Sequence, residues 1–168
     1  MTTIRPACPD DAAAVLRLFD EAIAWFVGMG NTGQWGTEPF SAQPRQVARV
    51  EGWVSEPGAW IAEHPGAGTA GFLALGEAVD YVPAATEPEV YVRVLIGSRD
   101  ARAKGVGRLL LGFAEQQARE AGAVMLRVDC YAGGTGDLVR FYESCGYERT
   151  ETFAVGEWPG QVLARRLR

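Results

Sequence analysis

Apolar residues recur at helical spacing in two segments of the chain. Between Pro9 and Gly28 they form one broad face, made of Val15, Leu16, Leu18, Phe19, Ala22 and Phe26. Between Gly105 and Ala121 they form a second stripe, made of Val106, Leu109, Leu110, Phe113, Ala114 and Ala118. Residues three and four apart share a helix face, so both segments are predicted to be amphipathic helices, ended by Gly28 and Gly122 respectively.

Shorter apolar or alternating segments predict strands. They lie at residues 2–6, 60–63, 69–75, 89–96, 123–131, 148–155 and 161–166. Two further helices are predicted at 47–54 and 137–144, and the stretch 31–45, rich in glycine, proline and aromatic residues, is predicted to be a long loop. The predicted order of elements is therefore β-α-α-β-β-β-α-β-α-β-β.

This order predicts an α/β architecture with a mixed sheet. The early strands follow one another as hairpins, whereas the later strands are separated by helices, which places helices on both faces of the sheet. The length of 168 residues fits one domain, and an apolar content of 48% is that of a globular protein. We therefore expect residues 1–168 to form a single domain.

Charge and composition exclude several classes of function. The net charge is −5 and the isoelectric point is near 5.0, which argues against general nucleic-acid binding, because phosphate contacts need a basic face. No apolar run approaches the ~18 residues of a membrane span, and the N-terminus lacks a signal-peptide pattern, so a cytoplasmic protein is expected. Three cysteines without CxxC spacing and a single histidine, His64, predict neither a disulfide framework nor a metal site.

One segment combines a strand, a basic loop and a helix start. Residues 94–111 have the sequence VLIGSRDARAKGVGRLLL. A helix N-terminus offers unpaired N–H groups and the positive end of the helix dipole. Gly105 and Gly107 let a phosphate approach the backbone closely, and Arg102, Lys104 and Arg108 add positive charge. The segment therefore predicts an anion site of pyrophosphate size.

Two nucleotide-binding motifs fit this segment poorly. A P-loop requires GxxxxGK[ST], which is absent. A dinucleotide-binding fold requires GxGxxG directly after a strand, but Leu110 stands at the third glycine position and a basic loop separates the strand from the glycines. Asp129, near the end of the following strand, is the one feature that such a fold would share.

The stretch from Arg102 to Gly107 has the form R-x-x-G-x-G and resembles the coenzyme A signature of the GNAT superfamily of N-acetyltransferases. The segment LVRFYESCGYERT, at residues 138–150, is similar to the second signature of that family. The order of elements also resembles the family's over essentially the whole chain. The resemblance implies a GNAT-like fold, with a mostly antiparallel central sheet of about six to seven strands that splay apart in a V. It also implies acetyl-CoA as cosubstrate, without a metal.

The resemblance indicates which residues bind coenzyme A. The pyrophosphate would lie on the loop and helix start formed by Arg102, Ala103, Lys104, Gly105, Val106, Gly107 and Arg108. The remaining contacts would come from the backbone of Leu95, Ile96 and Gly97 and from the side chains of Thr135 and Tyr142. Two positions depart from the family pattern. Thr135 stands where an asparagine often contacts the cofactor, and Gly97 stands where a β-branched residue is common, so glycine there is expected to accentuate a bulge or to loosen the site.

The reaction that the resemblance implies is direct transfer of an acetyl group to an amine. Tyr142 matches a family tyrosine that protonates the leaving sulfur, with core packing as its alternative role. Glu89 is the expected general base, and Asp129 or a chain of waters is the alternative. Tyr91, Asp129 and Trp35 are expected to bind the acceptor, although anchoring its own loop is the favoured role for Trp35.

Three functions remain open at this point. The leading one is acetylation of a small-molecule primary amine such as an amino acid, a polyamine or an antibiotic. The second is acetylation of a protein N-terminus or lysine, and the third is a non-catalytic regulatory domain that binds acyl-CoA. Many members of the family form homodimers, for which the segment 148–168 would be the surface. Neither a nucleic acid nor a membrane is an expected partner.

Overall fold

The computed structural model describes every residue from Met1 to Arg168. Seven strands and four α-helices follow one another as β1 (Thr3–Pro6), α1 (Ala12–Gly28), α2 (Pro44–Val54), β2 (Ala59–His64), β3 (Gly68–Gly76), β4 (Glu89–Gly97), α3 (Val106–Glu120), β5 (Met125–Tyr131), α4 (Asp137–Ser144), β6 (Glu148–Val155) and β7 (Trp158–Arg166). Short 3-10 turns precede α1, α2 and α3. No helix combines the length and the apolar composition needed to cross a membrane.

The seven strands form one mixed sheet in the order β1-β2-β3-β4-β5-β7-β6. β4 and β5 run parallel, whereas β1 with β2, β2 with β3, β5 with β7 and β6 with β7 run antiparallel. The predicted α/β fold class with a mixed sheet is confirmed.

Two predicted boundaries were wrong by three residues. α2 begins at Pro44 rather than at residue 47, because proline is tolerated in the first helical turn, where its missing N–H would have had no partner. The predicted long loop is shortened accordingly and contains a 3-10 turn at Phe40–Ala42. β7 begins at Trp158 rather than at residue 161, because pairing with β6 extends the strand through Pro159 and Gly160.

The chain divides into two compact units, each built from two separate stretches of sequence. Unit 1 comprises Met1–Ala74 and Val94–Leu110, and unit 2 comprises Leu75–Arg93 and Leu111–Arg168. Each unit has an apolar cluster of its own. The single-domain organisation of residues 1–168 stays a prediction.

In unit 1, α1 and α2 pack against one face of the strands. The buried side chains are Val15, Leu18, Phe19, Ala22 and Ile23 of α1, Val50 and Val54 of α2, and Ala59, Ile61, Phe72, Ala74, Val94 and Ile96 of the strands. Removal of these side chains from water is the main force that holds both helices to the strands. Much of the apolar face predicted for α1 is therefore the face that is buried.

The start of α3 packs against the opposite face of the same strands. Gly71 and Gly97 make this approach possible: a Cβ at Gly71 would lie 2.8 Å from Cδ1 of Leu110, and a Cβ at Gly97 would lie 2.7 Å from Cγ1 of Val106. Carbon atoms do not approach so closely, so a side chain at either position would force Leu110 or Val106 to move. Gly71 and Phe72 are consecutive in β3 and face opposite sides, which places helices on both faces here.

In unit 2, β5 pairs with a strand on each side and contacts α4. Its residues 125–128 pair in parallel with residues 89–92 of β4, and the whole of β5 pairs with β7. α4 contacts β5 and β6. Side chains alternate along a strand, so Arg127 and Asp129 share one face of β5, while Val128 and Cys130 share the other.

Replacing Gly97 by alanine tests the close approach of α3. The new Cβ would overlap the stiff, β-branched Val106, so we expect Gly97→Ala to lower the free energy of unfolding by about 1–3 kcal/mol in a urea titration. In a Val106→Ala background the same change should cost much less, because the overlapping methyl group is gone. Gly112→Ala is the control, since a Cβ there would meet no atom within 4 Å. Additive effects of Gly97→Ala and Val106→Ala would contradict this account.

Candidate functional site

The loop between β4 and α3 carries the predicted pyrophosphate site. Its 3-10 turn is capped by Asp100, whose carboxylate accepts the Arg102 N–H at 2.9 Å. Gly105 then adopts a φ of +88°, a backbone conformation that glycine tolerates and other residues rarely adopt. α3 starts at Val106. The N–H groups of its first turn have no carbonyl within the helix to bind, so they are available to an anion at the end of the loop.

Three cations surround this helix start. Lys104 and Arg108 are exposed, whereas Arg102 donates to both carboxylate oxygens of Asp100, at 3.0 and 2.7 Å. These hydrogen bonds from Arg102 hold the pKa of the Asp100 carboxyl well below its usual range. Positive charge from these side chains, together with the glycine backbone, fits a pyrophosphate group.

The three predicted contacts at the end of β4 directly precede this loop. Ile96 packs its side chain into the core of unit 1, and Leu95 is half-buried. Gly97 departs from the family pattern for a physical reason, because Val106 occupies the space that a side chain would need. Glycine at this position serves the packing of α3 against the strand.

Thr135 lies in the exposed loop before α4, in unit 2. Its side chain is the main cause of the lowered pKa of the carboxyl of Asp137, the first residue of α4. Its carbonyl accepts a hydrogen bond from Arg140 at 2.8 Å. These contacts hold the start of α4, and the cofactor contact of Thr135 stays a prediction.

α4 places Tyr142 in the interior of unit 2. The residue is 5% exposed, and its ring meets those of Phe141 and Tyr147 edge-on, with centroids 5.3 and 5.9 Å away. Burial raises the pKa of the Tyr142 hydroxyl well above its usual value, and the neighbouring Cys130 adds to the rise. The Tyr142 hydroxyl therefore stays protonated at neutral pH and has a proton to give, although the raised pKa makes it a weaker acid than an exposed tyrosine.

A buried hydrogen bond joins β4 to β5. Tyr91 is fully buried, and its hydroxyl donates to Oδ2 of Asp129 at 2.5 Å. Burial raises the pKa of the Asp129 carboxyl, and the bond from Tyr91 opposes part of that rise. Oδ1 of Asp129 makes no hydrogen bond within the protein. A half-buried carboxylate with a raised pKa and one unengaged oxygen is suited to accept a proton.

Glu89, in contrast, belongs to a buried ion pair. Arg127 is 5% exposed and donates to both oxygens of Glu89, to one of them at 2.8 Å, and to the carbonyl of Pro83 at 2.9 Å. Protonation of Glu89 would leave the guanidinium of Arg127 buried without its counter-charge. This arrangement is poorly suited to the role of general base that the sequence suggested for Glu89.

The two groups suited to proton transfer lie on opposite faces of β5. Asp129 and Cys130 are consecutive, so their side chains point to opposite sides of the strand. Tyr91 meets Asp129 on one side, and α4 brings Tyr142 next to Cys130 on the other. Burial raises the pKa of the Cys130 thiol to about 12, so this thiol stays neutral and is a weak nucleophile.

Trp35, predicted as a substrate contact, belongs to an aromatic cluster in unit 1. Its ring centroid lies 5.2 Å from that of Phe19, 5.6 Å from that of Phe26 and 6.0 Å from that of Phe40. These contacts anchor the loop after α1 to the core. They support the packing role that was favoured for Trp35, and its contact with a substrate stays a prediction.

Two arrangements have no counterpart in the sequence predictions. One is the ion pair of Arg127 with Glu89, for which the signal was an arginine in the otherwise apolar strand MLRVDCY, since a buried charge needs a partner. The other is the stacking of Arg99 on Trp25, with the guanidinium carbon 4.0 Å from the ring centre. Nothing in the sequence signals that contact, because the two residues lie far apart along the chain.

Many solved structures share this fold. An acetyltransferase of the GNAT family from Listeria monocytogenes has a TM-score of 0.73 at 18% identity, over 99% of this chain and 95% of that one. The yncA protein of Salmonella typhimurium, provisionally described as an acetyltransferase and solved with its cofactor acetyl-CoA, has a TM-score of 0.65 at 19% identity, over 100% and 95% of the chains. The ribosomal-protein-alanine N-acetyltransferase of Brucella melitensis has a TM-score of 0.64 at 20% identity, over 98% and 99% of the chains. At these identities the likeness establishes the fold.

Comparison with curated protein sequences finds no match. The sequence model of the Acetyltransferase (GNAT) family, in contrast, matches residues 17–147, which is most of the chain. The matched range includes the loop before α3, the strand β5 and the helix α4, and therefore the residues described above. Enzymes of this family use acetyl-CoA as the acetyl donor. The chain belongs to the GNAT family of acetyltransferases.

Proposed function

We propose that this protein transfers the acetyl group of acetyl-CoA directly to the primary amine of a small molecule. The observation that carries the proposal is the arrangement around β5, with the neutral hydroxyl of Tyr142 on one side and the carboxylate of Asp129 on the other. Acetyl transfer to an amine needs one group to take a proton from the ammonium and another to protonate the departing sulfur. The negative charge of the Asp129 carboxylate also attracts a cationic amine.

The start of α3 fits the pyrophosphate of acetyl-CoA. The N–H groups of its first turn would bind phosphate oxygens, and Arg102, Lys104 and Arg108 would add positive charge. Space beside Gly105 is open, since a Cβ there would meet no atom within 4 Å. The other proposed contacts are the loop residues Ala103, Val106 and Gly107, the backbone of Leu95, Ile96 and Gly97, and the side chain of Thr135.

The proton transfers balance as follows. Asp129 takes one proton from the acceptor ammonium, and the neutral nitrogen attacks the thioester carbon, so that a C–N bond forms as the C–S bond breaks. Tyr142 gives its proton to the sulfur, which leaves as the thiol of coenzyme A. The nitrogen loses a second proton as the amide forms, which restores Tyr142 through solvent. Asp129 then releases its proton to solvent, so each turnover yields one proton.

The proposal moves the role of general base from Glu89 to Asp129. Glu89 would instead fix β4 to β5 through Arg127. Tyr91 is fully buried and so would act as a positioning residue, because its hydroxyl holds one oxygen of Asp129 and leaves the other for the acceptor.

Release of free thiol from acetyl-CoA tests the proposed function. The panel should contain amino acids, polyamines, amine antibiotics, and peptides with a free N-terminus or a lysine. We expect turnover of a small amine. Preference for peptides would instead indicate a protein acetyltransferase, and coenzyme A binding without turnover would indicate a binding domain. A lack of coenzyme A binding by calorimetry would overturn the cofactor site.

Tyr142→Phe removes the proposed acid and keeps the ring. We expect kcat to fall by about 10²–10³-fold, while the dissociation constant for acetyl-CoA in calorimetry changes little. Tyr147→Phe is the matched control. Its hydroxyl is buried without a hydrogen-bond partner, so its removal should leave kcat unchanged and should not lower stability. An unchanged kcat in Tyr142→Phe would remove this residue from the mechanism.

Asp129→Asn and Glu89→Gln separate the two candidate bases. Asp129→Asn should lower kcat by about 10²-fold or more with the fold intact. Glu89→Gln should lower the free energy of unfolding by about 3 kcal/mol, because Arg127 loses its counter-charge, while the folded fraction keeps most of its kcat. Thiol-release kinetics give kcat, and urea unfolding of the same samples gives the free energy of unfolding. The reverse pattern would return the base role to Glu89.

The raised pKa of Asp129 also predicts how stability depends on pH. In the unfolded chain an aspartate titrates near its ordinary value, about 3.9, whereas the folded protein holds this proton to higher pH. Over that interval the folded state binds more protons than the unfolded state, so the contribution of Asp129 to the free energy of unfolding falls as the pH rises. Asp129→Asn does not titrate, so its stability relative to the wild type should increase between about pH 4 and 7 in urea unfolding. A constant difference would contradict the burial effect.

A further inference from the structure

Unit 2 contains four neighbouring aromatic side chains that are partly in water and that have no role in the proposed reaction. Two come from the segment between β3 and β4 and from the end of β5, and two from the hairpin of β6 and β7. Their ring centroids lie 5.0, 6.1 and 5.4 Å apart in the order Tyr81, Phe153, Trp158 and Tyr131. Tyr81 is 50% exposed, and the other three are half-buried. We call these four residues the aromatic row.

The aromatic row lies on the same face of the sheet as Asp129. Tyr131 follows Asp129 by two residues in β5, and alternate residues of a strand share a face. Gly160 of β7 lies opposite Tyr131, and Phe153 of β6 lies opposite Gly160, so they share that face as well. Trp158 precedes Gly160 by two residues in β7 and therefore points the same way.

The rings border the carboxylate of Asp129 on two sides. Val162 lies directly opposite Asp129 in β7, where paired side chains are about 4.5–5.5 Å apart. Phe153 packs against the cluster that contains Val162 and Tyr91. Tyr91 in turn donates to Oδ2 of Asp129. Along β5, the Cα of Tyr131 lies about 7 Å from that of Asp129. The row is therefore continuous with the proposed general base.

Two glycines hold rings of the row close to the backbone. A Cβ at Gly160 would overlap the ring of Phe153, and a Cβ at Gly133 would overlap the ring of Tyr131. These rings therefore lie directly over the backbone of β7 and of the loop after β5. Rings that are fixed before a ligand arrives lower the entropic cost of binding it.

The row continues into further exposed apolar surface. Val155 lies opposite Trp158 at the end of the hairpin and is 52% exposed. Contiguous exposed apolar surface is typical of a binding site. The faces and edges of aromatic rings pack well against another ring, and the faces also attract a cation.

The charges beside the row favour an acceptor with one ammonium group at Asp129. Glu87 binds Arg166 through both of its oxygens, at 2.8 and 2.7 Å. Glu89 binds Arg127 in the same way. Of the three carboxylates, only that of Asp129 has no arginine partner. A polyamine gains most from several carboxylates, whereas one carboxylate bordered by rings matches one ammonium on an apolar body.

We propose that the aromatic row binds the body of the acceptor, so that the acceptor is a primary amine with an aromatic ring a few bonds from its nitrogen. Its ammonium would lie at Oδ1 of Asp129, and its ring would pack against the rings of the row. The inference rests on the proposed acetyl transfer and names the acceptor class that this transfer leaves open. All the residues that it uses belong to unit 2.

The test uses 2-phenylethylamine as the probe in the thiol-release assay. Ethylamine lacks the ring, 2-cyclohexylethylamine has a saturated ring in its place, and putrescine has a second cation. We expect kcat/KM for 2-phenylethylamine to exceed that for ethylamine and for putrescine about tenfold or more. It should exceed that for 2-cyclohexylethylamine about threefold, because a saturated ring is apolar but not flat.

Two variants each remove one ring of the row and keep an apolar side chain. Tyr81→Leu and Trp158→Leu should each raise KM for 2-phenylethylamine about threefold or more, with kcat and the constants for ethylamine little changed. Tyr81 is exposed and outside the strands, so its variant serves if Trp158→Leu fails to fold in urea titration. Trp25→Leu removes a tryptophan of α1 in unit 1 that is 43% exposed, and it is the matched control.

Calorimetric titration of 2-phenylethylamine in the presence of coenzyme A separates this inference from the proposed function. Binding that Tyr81→Leu weakens, without turnover, would keep the aromatic site and overturn the proposed transfer. Equal kcat/KM for 2-phenylethylamine and ethylamine would overturn the site and leave the transfer standing, and neither binding nor turnover of any amine would overturn both. In analytical ultracentrifugation, a dimer that Val155→Glu dissociates would assign the row to a second copy of this chain and overturn the inference.

Discussion

The start of α3 lies where it does because two side chains are missing beneath it. Gly71 and Gly97 let Leu110 and Val106 sit directly against β3 and β4. The direction of a helix axis also fixes the direction of its first N–H groups. Packing in unit 1 therefore sets the direction of the backbone N–H groups at the start of α3. The same two glycines thus serve the core and the proposed pyrophosphate site. Preorganised donors of this kind need no rearrangement when an anion binds.

The fold was largely predictable because its strongest signals are local. The apolar stripes of α1 and α3 are long enough for a 3.6-residue period to be unmistakable, and α4 begins and ends as the sequence indicated. The error at β7 arose because strand pairing outweighs local composition there. Trp158, Pro159 and Gly160 have the composition of a turn, yet β6 lies opposite and draws them into β7. The sequence of residues 158–160 does not indicate that they pair with β6.

The candidate site divides in the same way. The basic loop and its glycines are contiguous, so a short motif was sufficient to propose an anion site. The sequence alone could not favour Asp129 over Glu89 as the proposed general base, because the contacts of both residues depend on the register of β4 against β5. Pairing of Tyr91 with Arg127 puts the arginine within reach of Glu89 and the tyrosine hydroxyl within reach of Asp129. A shift of one residue would turn these side chains to the other face of the sheet.

The hydrogen bond from Tyr91 also makes the two oxygens of Asp129 unequal. Oδ2 already accepts the tyrosine hydrogen bond, so Oδ1 is the oxygen with both lone pairs available, and the rotation of the carboxyl plane is restricted. In the proposed reaction a proton passed to Asp129 would then arrive along a restricted range of directions. In the proposed reaction the acceptor nitrogen would therefore have a preferred direction of approach, set by the hydroxyl of Tyr91.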